Sequence, residues 1–278
     1  MQKRLTLWLL APLLFSGGCA TVPSPAERST HAQALAAPRG WSMQTIPASP
    51  FPLAAFLPPA STQASELTLY LEGDGMAWTG PAHPSADPTP IDPLALRLAL
   101  AQPAGAAAYL GRPCQYVFAA DTCKESFWTS RRFAPEVVSA TSQAIDALKA
   151  RFGARQLTLV GYSGGAAVAM LVAARRTDVV RVVSVAGNLD HRAWTTLHQL
   201  DPLNGSLNPA DDAPLPRRMS QWHFAGEKDD VIPPRLALDF AARHVEPRPS
   251  VQVMAGFDHR CCWVDAWPRL WKQVTSQP

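Results

Sequence analysis

The sequence predicts an α/β protein built on a mostly parallel sheet with helices on both faces. Three observations predict it. Strand-like apolar runs and helix-length runs alternate repeatedly from residue 67 to residue 274. The middle strands, 157–160 and 179–185, are apolar, which suits strands covered on both faces rather than a sheet with one wet side. The chain has 278 residues, 47% of them hydrophobic, enough to close one large core.

The elements follow in order. Residues 41–58 hold two extended segments split by Pro47-Ala48-Ser49-Pro50, a hairpin pattern. Residues 67–71 form a strand that ends in Glu72-Gly73-Asp74-Gly75. Residues 93–102 start a helix with Pro93 in its first turn. Residues 106–110 are a small apolar strand. Residues 135–152 carry Val138, Ile145, Leu148 and Phe152 on one helical side, and Gly153 ends that helix. The strand 157–160 leads into an almost wholly apolar helix, 166–175. Arg175 and Arg176 sit at its C-terminus, where cations offset the dipole. Strands at 179–185, 222–225 and 251–254 and helices at 236–244 and 264–274 complete the alternation. Residues 189–218, rich in Pro, Asn, Gly and Asp, contain no clear sheet strand and read as an insertion.

The N-terminus carries a different signal. Lys3 and Arg4 precede an apolar run over 5–15, then Ser16-Gly17-Gly18-Cys19. A charged start, a short apolar stretch and small residues make residues 1–18 a secretory signal peptide. The run is short of the ~20 residues a spanning helix needs. The segment resembles a bacterial lipoprotein signal, with Ser16 standing where an aliphatic residue is usual. The resemblance implies lipidation of Cys19, and Ala20 after it implies the outer membrane, on the periplasmic side of the cell envelope. An ordinary signal peptide is the alternative. Residues 19–40, rich in Pro, Ala and Ser, read as the lipid-anchor Cys and a flexible tether, leaving 41–278 as the folded domain.

Charge and cysteine usage narrow the partners. The 25 basic and 22 acidic residues nearly balance, and without Lys3 and Arg4 the excess is about one. No Lys/Arg cluster lines one face, which argues against a nucleic-acid role, and no obligate protein partner is evident. Cys114, Cys123, Cys261 and Cys262, in an exported chain, are disulfide candidates with three possible pairings. Cys114–Cys123 would close a short loop, and Cys261–Cys262 would strain the peptide between them. No second Cys or His motif supports a metal site.

Gly161-Tyr162-Ser163-Gly164-Gly165 carries the chemistry. It follows an apolar strand and opens an apolar helix, the setting of a G-x-S-x-G nucleophile elbow. The sharp turn lifts the Ser163 hydroxyl into solvent, and the glycines remove side chains that would clash where strand and helix cross. The new helix aims its N-terminal dipole at the site. A serine needs a base to take its proton. His259, just beyond the last strand, is placed for this, whereas His223 lies inside a strand, His244 ends a helix, and His191 and His198 precede the expected acid. The acid candidate is Asp229 in Gly226-Glu227-Lys228-Asp229-Asp230-Val231-Ile232-Pro233, with Asp230 and Asp190 as alternatives.

These residues resemble the α/β-hydrolase family, in which a strand is followed by Gly, two residues, the triad Asp, an apolar pair and Pro. The resemblance covers residue 41 to the last helix. It is closest to exported proteobacterial hydrolases of the lipoprotein type, on the stretches 70–78, 111–116, 186–194 and 259–263. It implies an α/β-hydrolase fold, a Ser163–His259–Asp229 triad, and an insertion at 189–218 that overhangs the site. It also implies an oxyanion hole from the amide of Gly164 and that of Asp74, with Gly75 the neighbouring candidate. Glu72 stands where many lipases and esterases have His. The implied activity is hydrolysis of a small-molecule acyl substrate, by default a carboxylic ester, with no metal or organic cofactor. A peptidase or acyltransferase with the same triad, and a non-catalytic envelope binding protein, are the rival readings. Trp78, Trp128, Trp194 and Trp263 fall near strand ends, where an apolar pocket or ordinary core packing would use them.

Overall fold

The computed structural model describes residues 22–59, 63–117, 121–211, 219–244 and 248–276. In chain order the elements are helix α1 (Pro25–Ala36), strands β1 (Ser42–Ile46), β2 (Leu53–Leu57), β3 (Glu66–Leu71), β4 (Trp78–Gly80) and β5 (His83–Pro84), and helix α2 (Leu94–Ala101). Strand β6 (Ala106–Leu110), helix α3 (Pro135–Phe152), strand β7 (Gln156–Tyr162), helix α4 (Gly164–Ala173) and strand β8 (Val179–Val185) follow. Helix α5 (His191–His198), strand β9 (Ser220–Gly226), helix α6 (Pro234–Ala242), strand β10 (Ser250–Met254) and helix α7 (Trp263–Ser276) complete the chain.

One eight-stranded sheet in the order β1-β2-β6-β3-β7-β8-β9-β10 organises the molecule. Strands β1, β2 and β6 pair antiparallel, and every other neighbour pair is parallel. One core lies against α3, α4 and α6, and a second, on the opposite face, against α1, α2 and α7. All ten residues of α4 are buried, which is why its sequence shows no polar stripe.

This order decides where a ligand can bind. From β3 the chain moves outward to β6, then crosses back to β7 and proceeds the other way through β8. The connections leaving β3 and β7 therefore diverge, and a crevice opens beyond their carboxyl ends.

Several expectations need correction. A flexible tether running to residue 40 does not fit, because residues 25–36 are helical. Ser24 and Glu27 form a capping box, in which Ser24 N–H donates to Glu27 Oε2 at 2.7 Å and Glu27 N–H donates to Ser24 Oγ at 3.3 Å. Buried Ala32, Ala36 and Arg28 dock the helix, and the Arg28 guanidinium donates to the Thr89 carbonyl and pairs with Asp87 at 3.4 Å. Pro93 caps α2 rather than lying in its first turn. The insertion 189–218 contains α5, which Asp190 caps through the Ala193 N–H. The short β4–β5 hairpin has no sequence pattern long enough to announce it. Residues 1–18, Cys19 and the last part of the insertion, 212–218, lie outside the described residues. Cys114 is bonded to Cys123, with Cα atoms 5.6 Å apart, and Cys261 to Cys262.

Candidate active site

Ser163 stands between β7 and α4 with φ 51° and ψ −121°, a backbone conformation an L-residue adopts only under constraint. The constraint is packing. A Cβ on Gly161 would lie 2.4 Å from Ala166 Cα, and one on Gly165 2.3 Å from the Leu71 carbonyl oxygen. Only glycine lets β7, α4 and the end of β3 come this close. Ser163 N–H donates to Val185 O at 3.0 Å and Asn188 N–H donates to Ser163 O at 3.0 Å, which ties the turn to the end of β8.

The structure brings the three triad candidates together. Ser163 Oγ lies 3.0 Å from His259 Nε2, and His259 Nδ1 lies 2.9 Å from Asp229 Oδ2. Asp229 is buried, and its other oxygen accepts the N–H groups of Val231 at 2.9 Å and Ile232 at 2.8 Å. Asp229 thus presents one oxygen to the imidazole while the other shapes its own loop. The alternatives are placed elsewhere. Asp230 is exposed, and Asp190 is occupied by the Ala193 N–H, Asn208 and Arg243. His223 is buried inside β9 against Ser184 Oγ at 2.8 Å, where burial pushes its pKa down to about 3.

His259 is held by groups that local sequence patterns do not signal. Its carbonyl accepts the Tyr162 hydroxyl at 3.2 Å and the Trp263 indole N–H at 3.2 Å. The Tyr162 ring lies against the imidazole, with centroids 5.3 Å apart. Asp258 Oδ1 accepts the N–H groups of Arg260 and Cys261 at 2.7 and 2.6 Å, folding the loop back toward α7. Tyr162, the variable position of the elbow motif, therefore positions the imidazole beside its own neighbour.

The loop after β3 forms the facing wall. A Cβ on Gly73 would sit 3.3 Å from Ser163 Cβ, so the peptide that carries the Asp74 N–H borders the serine. Gly75, at φ +65°, turns the chain away with its Cα against the Pro88 carbonyl. The N–H groups of Asp74, Gly75 and Gly164 donate to no acceptor among the described residues.

The Asp74 side chain has a second role. A Cβ on Gly164 would fall 2.0 Å from Asp74 Oδ1, so the carboxylate rests on the first residue of α4. It pairs there with Arg112 at 3.2 Å and Arg132 at 2.6 Å, both buried guanidiniums. Burial pushes the Asp74 carboxyl up, but Arg132 and Arg112 outweigh that and hold it below the usual range. Arg112 also donates to the Arg132 carbonyl, and Gln115 Nε2 donates to Gly73 O at 3.0 Å. Two cations on one carboxylate leave an excess positive charge at this wall. Glu72 lies behind it, fully buried, accepting from the N–H groups of Gly73 at 3.0 Å and Ala95 at 3.4 Å. Burial raises the Glu72 pKa to about 7. Nothing in the sequence separates Arg132 from Arg131, which points outward to Glu136.

A cleft of about 940 Å³ opens over Ser163 and His259. The insertion overhangs it through Trp194, Leu200 and Leu203. The Val231 carbonyl accepts both Trp194 Nε1–H at 2.8 Å and His198 Nε2–H at 2.9 Å, so α5 is fastened to the Asp229 loop. Of the four tryptophans singled out above, Trp78 and Trp194 line the cleft. Trp128 is buried and donates to Ser85 O at 3.0 Å, and Trp263 is part of the core under the His259 loop.

The sheet order, the elbow and the crevice define the α/β-hydrolase fold, and solved structures agree. An α/β serine hydrolase homologue from Coxiella burnetii superposes with a TM-score of 0.55 at 14% identity, covering 85% of this chain and 97% of its own. A lidless α/β serine hydrolase from Xanthomonas campestris gives 0.56 at 14% identity, covering 85% and 94%. The esterase Est1E from Butyrivibrio proteoclasticus gives 0.56 at 13%, covering 84% and 98%. At these identities the likeness establishes the fold. No family model and no curated protein matches the chain by sequence.

Proposed function

We propose that the protein is a serine acyl hydrolase of the bacterial cell envelope, acting on carboxylic esters. The observation that carries the proposal is the chain of hydrogen-bond distances from Ser163 through His259 to Asp229, set at the mouth of the crevice. Neutral His259 donates Nδ1–H to Asp229 and accepts the Ser163 proton at Nε2 as Oγ attacks the ester carbonyl. The amides of Asp74 and Gly164 receive the developing oxyanion, and the excess positive charge of the Arg112–Asp74–Arg132 cluster favours it further. The tetrahedral intermediate collapses, and His259 returns its proton to the departing alcohol. Water, activated by the same imidazole, then releases the acid and restores Ser163. The solved esterases of the same fold support the choice of an ester. The export signal at 1–18 and lipidation of Cys19 would place the reaction on the periplasmic side of the outer membrane.

The test is labelling by a fluorophosphonate of protein lacking the residues before Thr21. Wild type should label, Ser163→Ala should not, and His259→Ala should label far more slowly. A folded wild type that stays unlabelled overturns the proposal.

A further inference from the structure

Among the described residues seven large hydrophobic side chains are exposed, and four of them stand at one place. Trp78 (42% exposed), Ile91 (46%), Leu200 (48%) and Val231 (41%) all line the cleft over Ser163. They come from four separate parts of the chain: β4, the segment before α2, the segment after α5 and the Asp229 loop. Single exposed apolar residues need no explanation, but a cluster around a cleft marks a binding surface. The wall below continues in the same character through Trp194 and Ile232. Rim charges do not cancel this. Asp92 is paired with Arg97 at 2.8 Å, and the remaining two, Asp201 and Arg260, are opposite in sign.

We infer that this apolar collar binds the hydrocarbon chain of the acyl substrate, so that the site selects esters of medium- and long-chain acids, about eight carbons or more, over short ones. The inference rests on the serine hydrolase reading for its chemistry, but the collar is a binding feature that is separable from the chemistry. The cleft of about 940 Å³ holds a chain of this length together with its ester group. Full burial of one methylene strengthens binding roughly fourfold. Partial coverage in an open cleft lowers this to about twofold per methylene.

The experiment measures binding without turnover. Methyl octanoate and methyl butanoate are titrated by calorimetry into Ser163→Ala protein, and again with Ile91→Ser and Leu200→Ser added. Octanoate should bind at least about tenfold more tightly than butanoate. The collar substitutions should reduce that ratio to roughly threefold or less, with the thermal midpoint confirming the fold. Equal binding of the two esters, or a ratio the collar substitutions leave intact, overturns the inference. Fluorophosphonate labelling of the parent protein is read alongside. Failed labelling with chain-length-dependent binding retained strikes the chemistry and leaves the collar standing, whereas labelling without that dependence does the reverse. Carrying the titration through the concentration at which the ester aggregates distinguishes its source. Saturation below that point means a dissolved ester and a jump above it an aggregated lipid phase, and either supports the acyl-chain assignment.

Discussion

Two loops meet at Ser163, and they are held there by opposite means. The turn 161–165 runs contiguously from strand through serine to helix and is held by main-chain contacts, its glycines letting α4 pack on β7 and the end of β3 while Ser163 N–H donates to Val185 O. The loop 73–76 has no such local code. It is held by Arg112, Gln115 and Arg132, which lie 38, 42 and 58 residues from their partners in it. The comparison teaches that a strained serine turn can be encoded in five consecutive residues, while the wall that faces it is assembled by buried charged and polar side chains from across the fold.

The sharpest way to break this comparison is at the elbow. Gly165→Ala would force a Cβ to within 2.3 Å of a main-chain oxygen that cannot move aside. Labelling of Ser163 should vanish and stability should fall by about 3 kcal/mol in a denaturant titration. Near-normal labelling would show that the elbow is less rigid than its packing implies.

Asp74→Asn attacks the other wall. It leaves two buried guanidiniums without a counter-charge, which should cost roughly 3 kcal/mol of stability. The amide donors should also shift, slowing fluorophosphonate labelling by on the order of a hundredfold. A stable, fully reactive variant would mean that the loop holds its shape without the charge cluster.

Glu72 provides a pH test of that same wall. Its folded pKa of about 7 lies above the ordinary carboxyl value of 4.5, so the folded state favours the protonated form. Its contribution to stability is complete below about pH 4.5 and is lost as pH rises through about 7, by up to roughly 3 kcal/mol. Glu72→Gln should flatten this part of the stability profile. An unchanged slope between pH 4.5 and 7 would show that Glu72 is not the group responsible.

Tyr162→Phe should have the smallest effect. It removes one hydrogen bond to the His259 carbonyl, worth about 1 kcal/mol, and should slow labelling about fivefold with little change in thermal midpoint. A loss as large as that of Asp74→Asn would mean the imidazole depends on this hydroxyl alone.

The same contrast explains what was legible in the chain. The elbow, the Gly226–Pro233 loop and His259 could be read because each is a short run at a strand end, and β8 and α3 because apolar periodicity survives in a linear sequence. The composition of residues 25–36, with its Pro, Ala and Ser, hides helix α1 and reads as a tether, although Ser24 and Glu27 hold the capping signal. Helix α5 leaves little periodic signal because it has only eight residues in a Pro- and Asn-rich stretch. The roles of Arg112, Arg132 and Tyr162 left no signal, since an arginine's sequence neighbours do not say whether it faces water or a buried carboxylate.

By itself the sequence determined the layering of the protein, the turn that exposes Ser163 and the order in which the serine, acid and imidazole candidates occur, because these follow from local sterics and hydrophobic period. Tertiary structure alone decided that Asp229 rather than Asp190 meets His259, that Asp74 is clamped by two arginines, and that four scattered apolar side chains form one collar. Those outcomes depend on which distant segments share the carboxyl edge of the sheet, and the order of its strands sets that arrangement.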